Sequence, residues 1–195
     1  MLSMVIFIHE VYYLIFMAHR FEGDFNKLDN KRRREILPPE NILREIDVKQ
    51  GDVLIDFGCG IGYFTIPALN LVGDDGRVIA IDTSEKMLDE LKKRAGARNN
   101  LEIIKSDKII DLKADCILLV NVLHEVESPK EFLSGCFEHI EENGKVVVID
   151  WQKKKTDMGP PINHRISKED VIDMAKKQYI ENDINENFYF IEFIA

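Results

Sequence analysis

The stretch LIDFGCGIGYFT, residues 54–65, decides the fold of this chain. The apolar run that ends at Phe57 predicts a short buried strand. Gly58, Gly60 and Gly62 follow it at alternate positions. Glycine has no side chain and tolerates positive φ, so three glycines in such a loop indicate a backbone that approaches a ligand closely. The question is which ligand this loop accepts.

Length and composition restrict the classes of protein to consider. The chain has 195 residues, of which 45% are hydrophobic and 31% charged. That is enough for one folded domain with a sizeable core, and it argues against disorder. The formal net charge is -9. Because non-specific binding to nucleic acid depends on Lys and Arg neutralising phosphates, a nucleic-acid partner is disfavoured.

The cysteines suggest reduced thiols. Cys59, Cys116 and Cys136 are odd in number and lack a C-x-x-C spacing, which is typical of a cytoplasmic protein without a disulfide framework. No metal site is expected either, because neither His-Glu pair is followed by a second histidine at metalloprotease spacing.

The N-terminal segment, residues 1–37, begins with an unusually apolar stretch. His9 and Glu10 interrupt it, and it lacks a basic start and an A-x-A site, so it predicts neither a membrane span nor a signal peptide. Two interpretations of residues 1–16 stay open: a helix packed on the domain or on a partner, and sequence upstream of a working start at Met17, which we favour. We expect the remainder of the segment to cover a pocket in the domain formed by residues 38–195.

Strands and helices then alternate along the chain, which predicts an α/β fold with a doubly wound, mostly parallel sheet. The predicted strands are residues 53–57, 77–81, 101–105, 115–120 and 145–149. The predicted helices are residues 40–46, 63–72, 84–95, 129–142 and 167–177. Two further strands, 179–184 and 188–194, flank a short turn and must therefore pair as an antiparallel hairpin, which makes a seven-stranded sheet.

Two familiar phosphate loops fit the glycines poorly. The dinucleotide fingerprint G-x-G-x-x-G would need a third glycine where Tyr63 stands, and no G-K-[ST] follows as in a P-loop. Asp56, just before the loop, would repel a pyrophosphate and attract an ammonium group. An NAD-dependent oxidoreductase is therefore a disfavoured alternative.

The sequence DFGCGIG, residues 56–62, resembles the first motif of the class I S-adenosylmethionine-dependent methyltransferases. The resemblance implies a Rossmann-like fold whose glycine loop wraps the aminoacyl part of S-adenosyl-L-methionine. It implies that Asp82 binds the two ribose hydroxyls and that Asp107 meets the adenine amino group. Asn121 would face both cofactor and substrate. The implied cofactor residues are Asp56, Gly58, Cys59, Gly60, Gly62, Asp82, Thr83, Asp107 and Asn121.

Two flanking segments narrow the resemblance. AHRFEGDFNKLDNKRRREILPPENIL and GPPINHRIS are similar to segments of a group of small methyltransferases, and the central region resembles the ubiquinone/menaquinone and arsenite methyltransferases. The three cysteines fall in the glycine loop, a strand and a helix. They do not form an exposed trio suited to arsenic, so that activity is discounted.

His124 is the candidate general base, because it follows the fourth strand and imidazole transfers protons near neutrality. The alternative is that it caps the following helix. The candidates for the substrate pocket are His19, Tyr63, Trp151 and His164. For Trp151, a packing role is as consistent with the sequence as a role in the substrate pocket. The basic residues 153–155 suggest attraction of an anionic substrate or a solvated loop.

The predicted function is methyl transfer from S-adenosyl-L-methionine to a small-molecule acceptor by in-line displacement. Two alternatives stay open: an NAD-binding oxidoreductase, and a non-catalytic S-adenosylmethionine-binding or interaction module, since one fold can host many functions.

Overall fold

The computed structural model describes residues 25–109 and 111–195. The expectations that concern residues 1–24, including His19 in the pocket and a start at Met17, lie outside the described residues.

The core of the molecule is one seven-stranded sheet with the order β3-β2-β1-β4-β5-β7-β6. Strands β1 to β5 are parallel, and β7 pairs antiparallel with both β5 and β6. The predicted fold class, with its C-terminal antiparallel hairpin, is confirmed. The strands are β1 Val53–Phe57, β2 Arg77–Asp82, β3 Leu101–Lys105, β4 Ala114–Val120, β5 Ile140–Trp151, β6 Tyr179–Asn185 and β7 Phe188–Ile194.

Helices connect the strands and cover both faces of the sheet. Ser84 and Ser167 cap two of them, each accepting a hydrogen bond from the backbone N–H three residues later. The α-helices of the described residues are α1 Lys31–Ile36, α2 Pro39–Glu45, α3 Thr65–Val72, α4 Glu85–Ala95, α5 Pro129–Glu138 and α6 Lys168–Ala175.

The largest difference from the predicted boundaries concerns the helix expected over residues 129–142, which ends at Glu138. Ile140 is buried and pairs with Ala114, so the chain enters β5 five residues earlier than predicted. The backbone N–H of Ala114 also donates to the His139 carbonyl at 3.0 Å. The apolar contact made by Ile140 therefore outweighs the helical pattern of the polar residues that follow it.

The sheet is buried on both faces, which explains why its parallel strands read as continuous apolar runs. In β4, Cys116 and Leu118 pack on one face with α2 and α3, and Ile117 and Leu119 pack on the other with α5 and α6. Polar side chains that could contact a ligand are consequently expected where the strands end.

The strand order reverses between β1 and β4. The chain moves outward from β1 to β2 and β3, then crosses back to place β4 on the other side of β1. In open α/β sheets, ligands bind in the crevice beyond the carboxyl ends of the strands at such a point. The glycine loop follows β1 directly and lies at this crevice. None of the helices of residues 25–109 and 111–195 is long and apolar enough to cross a membrane.

Candidate active site

Glycine is needed at the three positions of the loop for different structural reasons. Gly58, Gly60 and Gly62 all have positive φ, at 73°, 53° and 84°. A Cβ at Gly58 would lie 2.1 Å from Val122 Cγ2, and one at Gly62 would lie 2.4 Å from Leu91 Cδ1, so these two permit close packing. A Cβ at Gly60 would meet nothing within 4 Å. Gly60 therefore borders open space at the carboxyl edge of the sheet.

Asp82, at the end of β2, ties the neighbouring loops together. Its Oδ2 accepts from the backbone N–H of Gly60 at 2.9 Å, and its Oδ1 accepts from the N–H of Ser84 at 2.8 Å. A carboxylate has about four acceptor sites, so each oxygen keeps capacity for another donor. The Asp82 carboxylate is partly exposed, as is Thr83, and both lie beside the glycine loop.

Asp56 lies beneath the loop, with only 3% of its surface exposed. Its Oδ2 accepts from the Thr65 hydroxyl at 2.5 Å, at the start of α3. Burial, with a smaller contribution from the charge of Asp82, outweighs the Thr65 hydrogen bonds and raises the pKa of Asp56 to about 6. Two carboxylates thus act on one loop. That environment favours a cation and disfavours a pyrophosphate.

Asn121 and Asp107 lie on opposite sides of this centre. Asn121, directly after β4, has a φ of 55°, and its N–H donates to the Ile149 carbonyl at 2.8 Å. Its Oδ1 is buried and has no hydrogen-bond partner among the described residues, so it is available to a donor. Asp107 is exposed after β3, where the N–H of Ser106 donates to the Asp82 carbonyl at 3.1 Å. Cys59 is buried within the loop.

His124 follows β4 in a short 3₁₀ turn and is held by Asp150 at the end of β5. The His124 Nδ1 lies 2.7 Å from Asp150 Oδ1, and both side chains are buried. Burial lowers the pKa of His124, but the hydrogen bond and charge of Asp150, with the charge of Glu125, outweigh it. The net effect raises the pKa of the imidazole above its ordinary value of 6.5.

Asp150 is a site residue that the sequence analysis missed. Its carboxylate also accepts from the backbone N–H of Trp151 at 2.7 Å, which fixes its orientation. A signal for it existed: β5 ends in VVVID, just as β2 ends in VIAID with Asp82. An acid at the carboxyl end of a parallel strand points to the same edge of the sheet in both cases.

The candidates for the substrate pocket do not share one environment. The Tyr63 ring packs in the core, and its hydroxyl donates to the Leu37 carbonyl at 2.8 Å. The Trp151 ring packs on Phe188, with 4.3 Å between the ring centroids. His164 is half-buried in a 3₁₀ turn after β5. The geometry gives Tyr63 and Trp151 packing roles, whereas His124 lies at the carboxyl edge of the sheet.

Arg165 is a second residue that the sequence analysis missed. Its buried guanidinium has all five N–H donors engaged, and it lies 5.4 Å from the Trp151 ring centroid. The hydrogen bonds of Arg165 organise the loop of residues 152–161, which borders a cavity of about 310 Å³. The acceptors are the carbonyl oxygens of Gln152, Lys154, Met158 and Pro160 and the hydroxyl of Thr156.

Comparison with known proteins agrees with this geometry. The family model described as a methyltransferase domain matches residues 55–146. The chain is 33% identical over 114 residues to a probable cobalt-precorrin-6B C(15)-methyltransferase (decarboxylating) of Saccharolobus solfataricus, covering 54% of this chain and 56% of that protein. It is 26% identical over 118 residues to a demethylmenaquinone methyltransferase of Lactobacillus johnsonii, covering 57% and 48%. The chain thus spans about half the length of the curated relatives it matches.

Solved structures match over more of the chain. A SAM-dependent methyltransferase from Aquifex aeolicus superposes with a TM-score of 0.78 at 26% identity, covering 89% of this chain and 99% of that one. The N-methyltransferase NodS from Bradyrhizobium japonicum, in complex with S-adenosylhomocysteine, has a TM-score of 0.69 at 16% identity and covers 93% and 97%. The second likeness concerns the fold alone.

The fold and the matched region define a methyltransferase domain with a glycine loop at its switch point. Residues 55–146 thus match a methyltransferase domain, and the fold is similar to that of a SAM-dependent methyltransferase.

Proposed function

We propose that this protein transfers the methyl group of S-adenosyl-L-methionine to a small-molecule acceptor. The observation that carries the proposal is the open space over Gly60, at the switch point of the sheet. Asp82 and Asn121 border this region from the ends of β2 and β4, and among the described residues both keep capacity to accept a hydrogen bond. In a dinucleotide-binding enzyme this region binds a pyrophosphate. In this chain the negative charges of Asp56 and Asp82 disfavour such a ligand.

The residues present fit this cofactor. Asp82 keeps acceptor capacity that suits both ribose hydroxyls, and the exposed Asp107, which follows β3, is proposed to meet the adenine amino group. Asp56 supplies negative charge beneath the loop for the ammonium and sulfonium groups. Asn121 Oδ1 gains the donor that it lacks among the described residues.

The cofactor, when bound, supplies a methyl carbon that its positive sulfur already activates for displacement. The chain's own contribution is then to hold an acceptor in line with the methyl–sulfur bond and to exclude water. Such positioning can contribute several kcal/mol to lowering a barrier. The loop fixed by Arg165, which follows β5 at the same edge, is suited to cover the acceptor.

His124 is the proposed general base. When its Nδ1 donates to Asp150, its Nε2 carries the lone pair and can take a proton from the attacking atom of the acceptor. The charge of Asp150 stabilises the imidazolium that forms. Asp150 itself acts as a positioning residue. This role applies to acceptors that lose a proton as the new bond to carbon forms.

Two observations support a small acceptor. The net charge of -9 disfavours nucleic acid as a substrate. The names of the relatives, a precorrin and a demethylmenaquinone methyltransferase, also concern small molecules.

The experiment is to incubate the protein with methyl-labelled S-adenosyl-L-methionine and a cell extract separated into low-mass, protein and nucleic-acid fractions. We expect label to enter only the low-mass fraction. The variant His124→Ala is the matched control, and it should bind cofactor but transfer less label. Label in the protein or nucleic-acid fraction would contradict the proposed acceptor class. Cofactor binding with no transfer to any fraction would favour the non-catalytic module.

A further inference from the structure

Residues 25–36 lie against the glycine loop and α4. Arg94, on α4, bonds to Asp29 and donates from Nη1 to the Ile61 carbonyl at 2.9 Å. Arg34, on α1, also bonds to Asp29, at 2.8 Å between Nε and Oδ1. Asp29 thus links the segment to the loop, and α1 begins just after it. The contacts of Arg34 and Arg94 with Asp29, and of Arg94 with Ile61, therefore hold α1 over the loop.

Arg33 lies inside this arrangement and differs from its neighbours. Its guanidinium carbon lies 4.8 Å from the centroid of the Tyr63 ring. Its Nε is buried and has no hydrogen-bond partner among the described residues, and none of the ion pairs within those residues includes it. Arg34 and Arg94, by contrast, share the carboxylate of Asp29.

An unpaired guanidinium next to a ligand site has a physical consequence. Removing a charge from water is costly unless an opposite charge or hydrogen-bond acceptors replace the water. Stacking on the Tyr63 ring offsets part of this cost, since the face of an aromatic ring attracts a cation. Within residues 25–109 and 111–195 the Nε donor still lacks an acceptor, and an anion bound beside it would supply one.

The position of Arg33 indicates which anion. Tyr63 directly follows Gly62, and its ring is fixed because its hydroxyl donates to the Leu37 carbonyl. The guanidinium on that ring is consequently held at the end of the glycine loop. That loop is where the proposed function puts the aminoacyl part of the cofactor, which carries one carboxylate.

We propose that Arg33 binds the carboxylate of the aminoacyl part of S-adenosyl-L-methionine. This inference rests on the proposed function of the site. The loop would then recognise both charges of the amino acid, with Asp56 acting on the ammonium group from below and Arg33 on the carboxylate from α1. A guanidinium suits this task because its donors match the two oxygens of a carboxylate.

The test compares two ligands that differ only in this group: S-adenosyl-L-methionine and decarboxylated S-adenosylmethionine. Affinities are measured by calorimetry for the wild type and for Arg33→Met, which keeps an unbranched apolar stem over Tyr63. We expect the wild type to prefer the carboxylated ligand by about 10- to 100-fold, the usual effect of a charged hydrogen bond. Arg33→Met should lose that preference by weakening only the carboxylated ligand, and Arg33→Lys should retain part of it.

Arg32→Met is the matched control, because Arg32 is exposed on the same helix. It should leave both affinities unchanged. Equal binding of the two ligands by the wild type would overturn the inference without any variant, and so would an equal loss of both ligands in Arg33→Met. If the wild type binds neither ligand, the proposed function fails as well, which is a distinct result.

Discussion

Asp150 Oδ1 lies 2.7 Å from His124 Nδ1, although 26 positions separate the two residues in the chain. Each follows or ends one of two adjacent parallel strands, β4 and β5, so both side chains reach the same edge of the sheet. The buried carboxylate gives His124 a fixed orientation and a raised pKa. It also makes the protonation of His124 depend on Asp150.

The first prediction concerns that dependence. In the wild type, the pKa of His124 lies above 6.5 because Asp150 and Glu125 outweigh burial. In Asp150→Asn, burial and the nearby Arg165 act with less opposition, so the pKa should fall below its wild-type value. Titration of the imidazole signals by nuclear magnetic resonance measures both, and His124→Gln identifies the signal. An unchanged pKa in Asp150→Asn would show that the pair does not control His124.

The second prediction separates ligand space from backbone strain. Gly60 and Gly51 both have positive φ, and a Cβ at either would meet nothing within 4 Å. Gly60→Ala and Gly51→Ala should therefore lose similar stability, about 1 kcal/mol, from the strained φ. Only Gly60→Ala should lose affinity for S-adenosylhomocysteine, because its new methyl group enters the space over the loop. Equal affinities of the two variants for S-adenosylhomocysteine would show that the ligand does not occupy that space.

The third prediction concerns stability and pH. The folded pKa of Asp56 is about 6, above the ordinary 3.8, because burial penalises its charge. The folded state therefore keeps a proton that the unfolded state has lost, so this carboxyl lowers stability as pH rises from 3.8 through about 6. Asp56→Asn removes that effect, and its advantage over the wild type in urea unfolding should grow by up to about 3 kcal/mol over this range. A difference that stays constant with pH would contradict the assignment.

The fourth prediction concerns Asp82. Replacing it with Ala should weaken binding of S-adenosylhomocysteine by about 10- to 100-fold, because a charged acceptor for the ribose hydroxyls is lost. Asp89→Ala, an exposed carboxylate on α4, is the control and should bind as the wild type does. Calorimetry measures the affinities, and melting temperatures report whether either variant loses folded structure. Unchanged affinity in Asp82→Ala would make the ribose assignment wrong.

Much of the fold follows from local patterns in the sequence. The strands Val53–Phe57 and Leu101–Lys105 have the predicted bounds because each is a short apolar run between clear turn signals. The C-terminal end of the helix that begins at Pro129 could not be predicted from a local pattern in the sequence. There, the deciding contact is the pairing of Ile140 with Ala114, which lies far away in the chain.

The site was predictable to the extent that it depends on strand ends. The glycine loop and Asp82 follow from their places after β1 and β2, and the structure brings them within hydrogen-bond distance of each other. Asp150 required knowledge that β5 lies next to β4. Arg33 and Arg165 act through contacts with backbone and ring atoms of distant segments, and no spacing in the sequence indicates those contacts.

Calorimetric titration of the wild-type protein with S-adenosylhomocysteine and, separately, with NAD tests the central claim most directly. The two carboxylates at the loop and the open space over Gly60 predict saturable binding of S-adenosylhomocysteine at one site per chain and no binding of NAD. Binding of NAD with no heat from S-adenosylhomocysteine would contradict the account.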